Sequence, residues 1–291
     1  GVLGTRRALR GYVGEVPESV KPGDLLDILN LGGVIGRCTS ANPELGAPLK
    51  AEVLGAVLSF PFLGERTGVP ASIRTKAVPM AETLAPCVPV VYVAGTCMNS
   101  GKTYACGEII RYLSKRGLKV FGAKLTGVAL RRDALHMLDR GADRCLTFND
   151  AGMASTSEAL SVPVAKGLFN ALNEDEPDVL VVELGDGILG EYGVQAILED
   201  AQLMAAASIH VLCAADPVAA WGAVELYRNR FKLTPGILSG PATDNAVGNC
   251  FIAEKLGVGA YNARTQAEEL GAAVFAAVSA AKAGKKEPVA A

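Results

Sequence analysis

From residue 88 onwards, apolar runs of strand length alternate with longer runs in which apolar residues recur at helical spacing. This alternation predicts right-handed βαβ units, and therefore a mostly parallel sheet with helices on both faces. The predicted strands are 89–95, 118–124, 178–184, 208–214, 235–239 and 258–262. The predicted helices are 102–116, 158–173, 193–206, 217–230, 246–256 and 265–283, the last followed by a charged tail.

The pattern before residue 88 is different, because short apolar runs there are separated by closely spaced turn signals. Strand-like runs at 25–30, 33–38 and 51–60 lie between turns that contain Gly, Pro or Asn. Such spacing predicts a small, β-rich, barrel-like region, and a proline-containing linker follows it. We therefore predict two domains, one over 1–87 and one over 88–291.

Composition and charge restrict the possible partners. Half of the 291 residues are apolar, which supports a substantial core. The formal net charge of −2 and the dispersed charges argue against a nucleic-acid surface or a polybasic membrane patch. Seven scattered cysteines without a CxxC pair are typical of reduced thiols, and no apolar run has the length of a membrane span. We expect a cytoplasmic protein.

The strongest chemical signal lies between the first strand and the first helix of the alternating region. The segment 95–103 reads GTCMNSGKT, and strand, glycine loop, Lys-Thr and helix together form the layout of a phosphate-binding P-loop. Loop amides and the positive end of the helix would bind the phosphates, the lysine would neutralise them, and the threonine hydroxyl suits Mg²⁺. The candidate nucleotide ligands here are Gly95, Thr96, Asn99, Ser100, Gly101, Lys102 and Thr103.

The loop has five residues between its two glycines, where the common pattern has four. The form G-T-x-x-x-x-G-K-T resembles the loop of dethiobiotin synthetase and of the cobyrinic and cobyric acid amide synthases. That broader group also includes metal-site maturation and division-site ATPases. The resemblance covers residues 88–262 and implies ATP and Mg²⁺ as cofactors, phosphoryl transfer to a carboxylate or related oxygen, and a homodimer.

Two further strand ends carry candidate helpers. A lysine closing strand 118–124 would project towards the phosphates, and an acid closing strand 178–184 has the position of a Mg²⁺ ligand. The first element, K-L-T-G, resembles K-P-x-x-[ST]-G of dethiobiotin synthetase but is one residue shorter and lacks the proline. The second, E-L-G-D-G, resembles E-G-x-G-G. These matches make Lys124 and Glu183 catalytic candidates beside Lys102, and Thr126 a phosphate or substrate contact.

The resemblance also implies an aspartate as a further Mg²⁺ ligand, for which four residues are candidates: Asp133, Asp139, Asp143 and Asp150. Asp150 is favoured, because it follows an apolar run and precedes a turn that contains glycine, and Asp143 is second. The predicted metal site is therefore Thr103, Glu183 and Asp150. Asn245, after strand 235–239, is a candidate nucleotide contact or equally a helix N-cap.

These observations lead to a main hypothesis and two alternatives. The main hypothesis is an ATP- and Mg²⁺-dependent enzyme that phosphorylates a small-molecule carboxylate, with its acceptor near 128–157 and 187–193. The first alternative is a nucleotide-dependent switch or maturation ATPase or GTPase that acts on a protein partner, although the chain has no clear N-K-x-D motif. The second is a fold that binds an acyl or nucleotide ligand without hydrolysis. Neither His136 nor His210 has metal-ligand spacing, and neither is expected to be catalytic.

Overall fold

The computed structural model describes residues 1–62, 64 and 66–284. Its first part is the predicted β-rich region. The strands are β1 Val2–Leu3, β2 Arg6–Arg7, β3 Tyr12–Glu15, β4 Leu25–Ile28, β5 Val34–Ala41, β6 Lys50–Glu52, β7 Leu58–Ser59 and β8 Val69–Pro70. Five of them follow the order β2-β3-β5-β4-β6 with antiparallel pairing, while β1 joins β5 in parallel and β7 pairs with β8 alone.

The second part is an α/β unit built on one parallel sheet, as the alternating pattern predicts. Its strands are β9 Val90–Gly95, β10 Val120–Thr126, β11 Arg144–Thr147, β12 Val179–Leu184, β13 Ala207–Cys213, β14 Ile237–Ser239 and β15 Gly259–Ala260. The seven strands lie in the order β11-β10-β12-β9-β13-β14-β15. The strand before the phosphate loop, β9, therefore lies at the centre, and β12, whose penultimate residue is Glu183, lies beside it.

Helices cover both faces of this sheet. They are α1 Lys102–Lys115, α2 Arg131–Asp139, α3 Glu158–Asn173, α4 Val194–Glu199, α5 Ala201–Ala205, α6 Pro217–Leu226, α7 Ala246–Phe251 and α8 Ala267–Gly284. Successive residues of β9 point to opposite faces, so Tyr92 packs among α3 to α6 while Val91 and Val93 pack among α1, α2 and α8. Burial on both faces explains why these strands are apolar throughout.

Several elements differ from the sequence prediction. The strand-like run 51–60 is divided into β6 and β7, and the α-helices predicted over 217–230 and 246–256 end at Leu226 and Phe251. The helix predicted over 193–206 is divided at Asp200, whose carboxylate accepts a hydrogen bond from the Leu203 amide at 2.9 Å and caps α5. The segment 128–157, which has no clear pattern, contributes α2 and the edge strand β11. The charged tail after residue 284 lies outside the described residues.

The two parts of the chain are in direct contact. Leu29 and Val34 of the β-rich region are buried against Ala154. Asn30 Nδ2 donates a hydrogen bond to the Ala129 carbonyl at 2.7 Å. The proline-containing segment before β9 also packs on the α/β unit, where Lys166 Nζ donates to the Glu82 carbonyl at 3.1 Å. The domain boundary at residue 87 stays a prediction.

Across the described residues, every helix is either too short or too polar to serve as a membrane span.

Candidate functional site

The phosphate loop joins the central strand β9 to α1, and both of its sides are anchored. The Thr96 amide donates to the Cys213 carbonyl at the end of β13, at 3.0 Å. The Ile188 amide, from the loop after β12, donates to the Gly95 carbonyl at 2.9 Å. Asn99 has a left-handed backbone with φ 63°, a conformation that asparagine tolerates better than most residues. The loop is therefore held at the carboxyl end of the sheet, where open α/β folds bind their ligands.

Lys102 is folded back over this loop. Its side chain is buried, and Nζ donates to the Cys97 carbonyl at 2.8 Å and to the Asp186 carbonyl at 2.5 Å. The ammonium thus bridges the phosphate loop and the turn after β12. Both partners are neutral carbonyl oxygens, so an anionic phosphate would compete for the ammonium with stronger, charge-assisted hydrogen bonds.

Three predicted residues meet beside Lys102. Strand register pairs Lys124 of β10 directly with Glu183 of β12. Lys124 Nζ lies 3.2 Å from Glu183 Oε1, and the Thr103 hydroxyl on α1 donates to the same oxygen at 3.2 Å. The structure therefore brings side chains from α1, β10 and β12 into contact at one place.

Charge balance sets the ionisation of this cluster. Burial alone would raise the pKa of Glu183, but the ammonium groups of Lys124 and Lys102 outweigh burial and hold that pKa below its ordinary value. Burial alone would lower the pKa of Lys124, but Glu183 and Asp133 outweigh it and raise that pKa. Glu183 is therefore a carboxylate and Lys124 an ammonium at neutral pH.

The aspartate in this cluster is Asp133, from the first turn of α2. Its carboxylate also pairs with Lys124 Nζ, and the residue is buried. Asp150, the favoured third metal ligand, lies in the turn after β11, and β10 separates that strand from β12. Its carboxylate accepts hydrogen bonds from the amide and hydroxyl of Thr147 at 2.7 and 3.1 Å, which closes the turn after β11. The structure does not bring Asp150 to the Thr103–Glu183 pair.

The donor set beside the loop fits Mg²⁺. Glu183 Oε2 is buried without a hydrogen-bond partner in the described part of the chain, and the Thr103 hydroxyl adjoins the other oxygen of the same carboxylate. Among the described residues, no group of three or more His, Cys, Asp and Glu side chains is placed to hold a metal. A magnesium ion bound here would take one protein carboxylate, the hydroxyl, water and nucleotide phosphates, which is its usual mode in nucleotide enzymes.

Other predicted site residues have local structural contacts. The Thr126 hydroxyl donates to the Gly185 carbonyl at 3.1 Å and so links the ends of β10 and β12. Asn245 accepts from the amides of Val247 and Gly248 at 3.0 and 3.2 Å, which makes it the N-cap of α7. The loop before it still adjoins the phosphate loop, since a methyl group on Gly240 would lie 2.2 Å from the Ser100 carbonyl oxygen.

The two histidines lie away from this cluster in the contacts that the structure describes. His210 stacks on Tyr92 with ring centroids 5.4 Å apart, and burial lowers its pKa to about 4. His136 packs against α1, where a methyl group on Gly107 would lie 2.3 Å from its Nε2.

Asp186, whose carbonyl contacts Lys102, is a residue that the sequence pattern did not single out. Its backbone is left-handed with φ 64°, and its carboxylate Oδ2 accepts from the Leu9 amide of the β-rich region at 3.4 Å. Burial raises the pKa of Asp186, and Oδ1 is buried without a partner among the described residues. The second acid in E-L-G-D-G was the available signal, but a solvated turn is an adequate explanation of an aspartate at that position.

Strand order, phosphate loop and the Lys-Thr-Glu cluster together make this the fold of a P-loop nucleoside triphosphatase. The sequence matches no protein-family model and no curated protein sequence. Chloroplast FtsY from Physcomitrella patens is similar in structure, with 14% identity, TM-score 0.43 and coverage of 70% of each chain. A DUF1611 family protein from Anabaena variabilis has 12% identity and TM-score 0.45, over 72% of this chain and 63% of that one. Hydrogenase maturation factor HypB from Archaeoglobus fulgidus has 13% identity and TM-score 0.39, over 66% and 90%.

Proposed function

We propose that this protein is a Mg²⁺-dependent nucleoside triphosphatase in which bound nucleotide changes the contact between the turn after β12 and the β-rich region. One observation carries the proposal. Asp186 bonds through its carbonyl to the P-loop lysine and through its carboxylate to the Leu9 amide. A nucleotide that draws the Lys102 ammonium onto its phosphates removes the first of these bonds, and the second then changes with it.

The same residues supply the chemistry of phosphoryl transfer. The loop amides bind the β-phosphate, and Lys102 and Lys124 neutralise charge on the transferring group. Thr103 and Glu183 are the residues that would hold Mg²⁺, which shields the phosphate charges when bound. The Asp150 carboxylate is bonded within its own turn and supplies no ligand here. Asp133 acts through Lys124, whose position and charge it fixes.

Substitution of the P-loop lysine tests this proposal. Lys102→Ala is expected to abolish release of nucleoside diphosphate from ATP and GTP in the presence of Mg²⁺, because the main counter-charge to the phosphates is lost. Lys115→Ala, an exposed lysine at the other end of α1, is the matched control and should retain the wild-type rate. Wild-type turnover by Lys102→Ala would refute the site assignment.

Hydrogen exchange tests the coupling separately. A non-hydrolysable triphosphate analogue with Mg²⁺ should change amide exchange at Leu9 and its neighbours relative to the diphosphate. Equal exchange in both states would show that bound nucleotide does not change this contact, and only the hydrolytic part of the proposal would stand. Whether ATP or GTP is the natural nucleotide follows from the ratio of their affinities in the same samples.

A second candidate is phosphoryl transfer to a small molecule, as the resemblance to dethiobiotin synthetase implies. A cavity whose wall includes the turn after β12 favours it, because an acceptor bound there would lie beside the loop that contacts Lys102. Diphosphate release that requires an added metabolite would favour this candidate, whereas release that requires a protein partner would favour the switch. Homodimer formation, expected from the same resemblance, is measured by light scattering with and without nucleotide.

A further inference from the structure

A cavity of about 610 Å³ lies where the β-rich region meets the α/β unit. Thr5 and Arg7 line it from the first side, residues 153 and 155–158 from the second, and residues 189–192 and 195 from the third. The volume is in the range of small-molecule sites. Most of the lining residues have hydroxyl, amide or charged side chains, with Met153 and Leu189 as the wholly apolar ones, and polar and apolar atoms contribute similarly to the lining.

The walls of this cavity are tied to one another. The Tyr192 hydroxyl accepts a hydrogen bond from the Arg7 amide at 2.9 Å, which joins the first wall to the third. The buried Thr156 hydroxyl donates to the Tyr192 carbonyl at 2.8 Å and accepts from the Gly127 amide at 3.0 Å. The cavity is therefore formed before any ligand binds, so little ordering opposes binding.

The cavity shares structure with the phosphate site. Gly127 follows directly on the segment of Lys124 and Thr126, and it is the donor that fixes Thr156. Gly190, in the third wall, donates its amide to the Gly187 carbonyl at 2.9 Å, next to Asp186. Since the Asp186 carbonyl contacts Lys102, the turn after β12 borders both the cavity and the phosphate site. A molecule in the cavity would touch the segment that responds to nucleotide.

Charges on the rim indicate the chemistry of the ligand. The Arg7 guanidinium is half-exposed and lies 3.4 Å from both Glu15 and Glu191, which is longer than a charge-assisted hydrogen bond. It therefore keeps donor capacity for a carboxylate, which its planar fork matches. The amino end of the long helix α3 is at the same rim, and the Ser157 side chain makes no capping bond there. Glu158 and Glu191 disfavour a ligand with several negative charges.

We propose that this cavity binds a small polar molecule that carries one carboxylate, with Arg7 as the carboxylate-binding residue. The proposal goes beyond the nucleotide function, because it holds whether the molecule accepts a phosphoryl group or regulates hydrolysis. The hydroxyl and amide groups of the lining would bind the rest of the molecule, with an amine or hydroxyl of the ligand facing the two glutamates.

Paired ligands test the proposal on the whole chain. The probes are C3–C6 amino acids and hydroxy acids, each measured beside its primary amide by saturation-transfer NMR and then calorimetry. At least one acid is expected to bind, and its amide about tenfold more weakly, because the amide lacks the charge that Arg7 recognises. Absence of binding by every acid, or equal affinity of acid and amide, would overturn the proposal.

Variants locate the binding. Arg7→Gln should weaken binding of the acid about tenfold and Arg7→Lys less, whereas Arg10→Gln, an exposed arginine outside the lining, should match wild type. If Arg7→Gln does not fold by circular dichroism, Ser157→Asp replaces it, since aspartate can cap α3 and adds a repelling charge at the rim.

The two proposals fail separately. Nucleotide binding without carboxylate binding would overturn the cavity proposal alone. Carboxylate binding without nucleotide binding would overturn the nucleotidase proposal alone.

Discussion

At the scale of single residues, Lys124 is the centre of the candidate site. It pairs with two buried carboxylates, Asp133 and Glu183, and the second of these also contacts Thr103. A buried ammonium shared in this way has a fixed position, because movement towards one acid leaves the other unpaired. Asp133 therefore controls how strongly Lys124 holds the carboxylate that suits Mg²⁺.

Substitution of Asp133 is expected to weaken the binding of Mg²⁺ that supports hydrolysis. In Asp133→Asn, Lys124 has Glu183 as its main acidic partner and competes with Mg²⁺ for it. The Mg²⁺ concentration at half-maximal hydrolysis should rise about tenfold, which corresponds to about 1.4 kcal/mol. A magnesium titration of steady-state hydrolysis measures it.

Asp150→Asn is the matched control, because it changes the other candidate aspartate in the same way. It should leave the magnesium dependence unchanged and lower the free energy of unfolding by about 1 kcal/mol, since it weakens the turn after β11. A magnesium shift in Asp150→Asn and none in Asp133→Asn would restore the sequence-based metal site.

At the scale of elements, periodicity predicted the central strands and most helices because those segments are long and buried on one or both faces. The positions of Lys102, Thr103, Lys124 and Glu183 at this edge of the sheet were predictable as well, since each lies within two residues of an end of an element whose pattern is clear. Asp133 was one of four candidate aspartates but could not be chosen among them, because its position depends on α2, a nine-residue helix in a segment without a clear pattern. Asp186 was not predictable, because its contact with Leu9 joins residues 177 positions apart.

The break between α4 and α5 gives a second example and a prediction. Asp200 caps α5 and also pairs with the buried Lys166, with Oδ2 2.8 Å from Nζ. Asp200→Ala leaves that ammonium with the Glu82 carbonyl but without a carboxylate, and should lower the free energy of unfolding by about 3 kcal/mol. Asp200→Asn keeps a cap and should lose less. The double variant Asp200→Ala with Lys166→Met should recover stability relative to Asp200→Ala in urea unfolding, and no recovery would show that the cap alone matters.

At the scale of the whole molecule, the core contains a histidine whose protonation would destabilise the fold. The folded-state pKa of His210 is about 4, against an ordinary value of 6.5, because burial disfavours its charged form. Between these values the unfolded chain binds a proton that the folded chain does not, so stability falls as pH drops from 6.5 to 4, by about 3 kcal/mol in total. In urea unfolding across this range, His210→Phe, which retains an aromatic ring beside Tyr92, should show a smaller loss. Parallel curves would assign the acid sensitivity to other groups.

The junction between the β-rich region and the α/β unit carries the last prediction, because both proposals depend on it. Gly32 approaches the Ala129 carbonyl so closely that a methyl group would lie 1.7 Å from the oxygen. A backbone atom cannot rotate away, so Gly32→Ala should lower the free energy of unfolding by about 1–3 kcal/mol and loosen the docking of the β-rich region. Gly55→Ala is the control, since nothing lies within 4 Å of its added methyl group. If docking couples nucleotide to the β-rich region, Gly32→Ala should also reduce the nucleotide-dependent change in amide exchange at Leu9, and a wild-type change would show that the coupling does not pass through this contact.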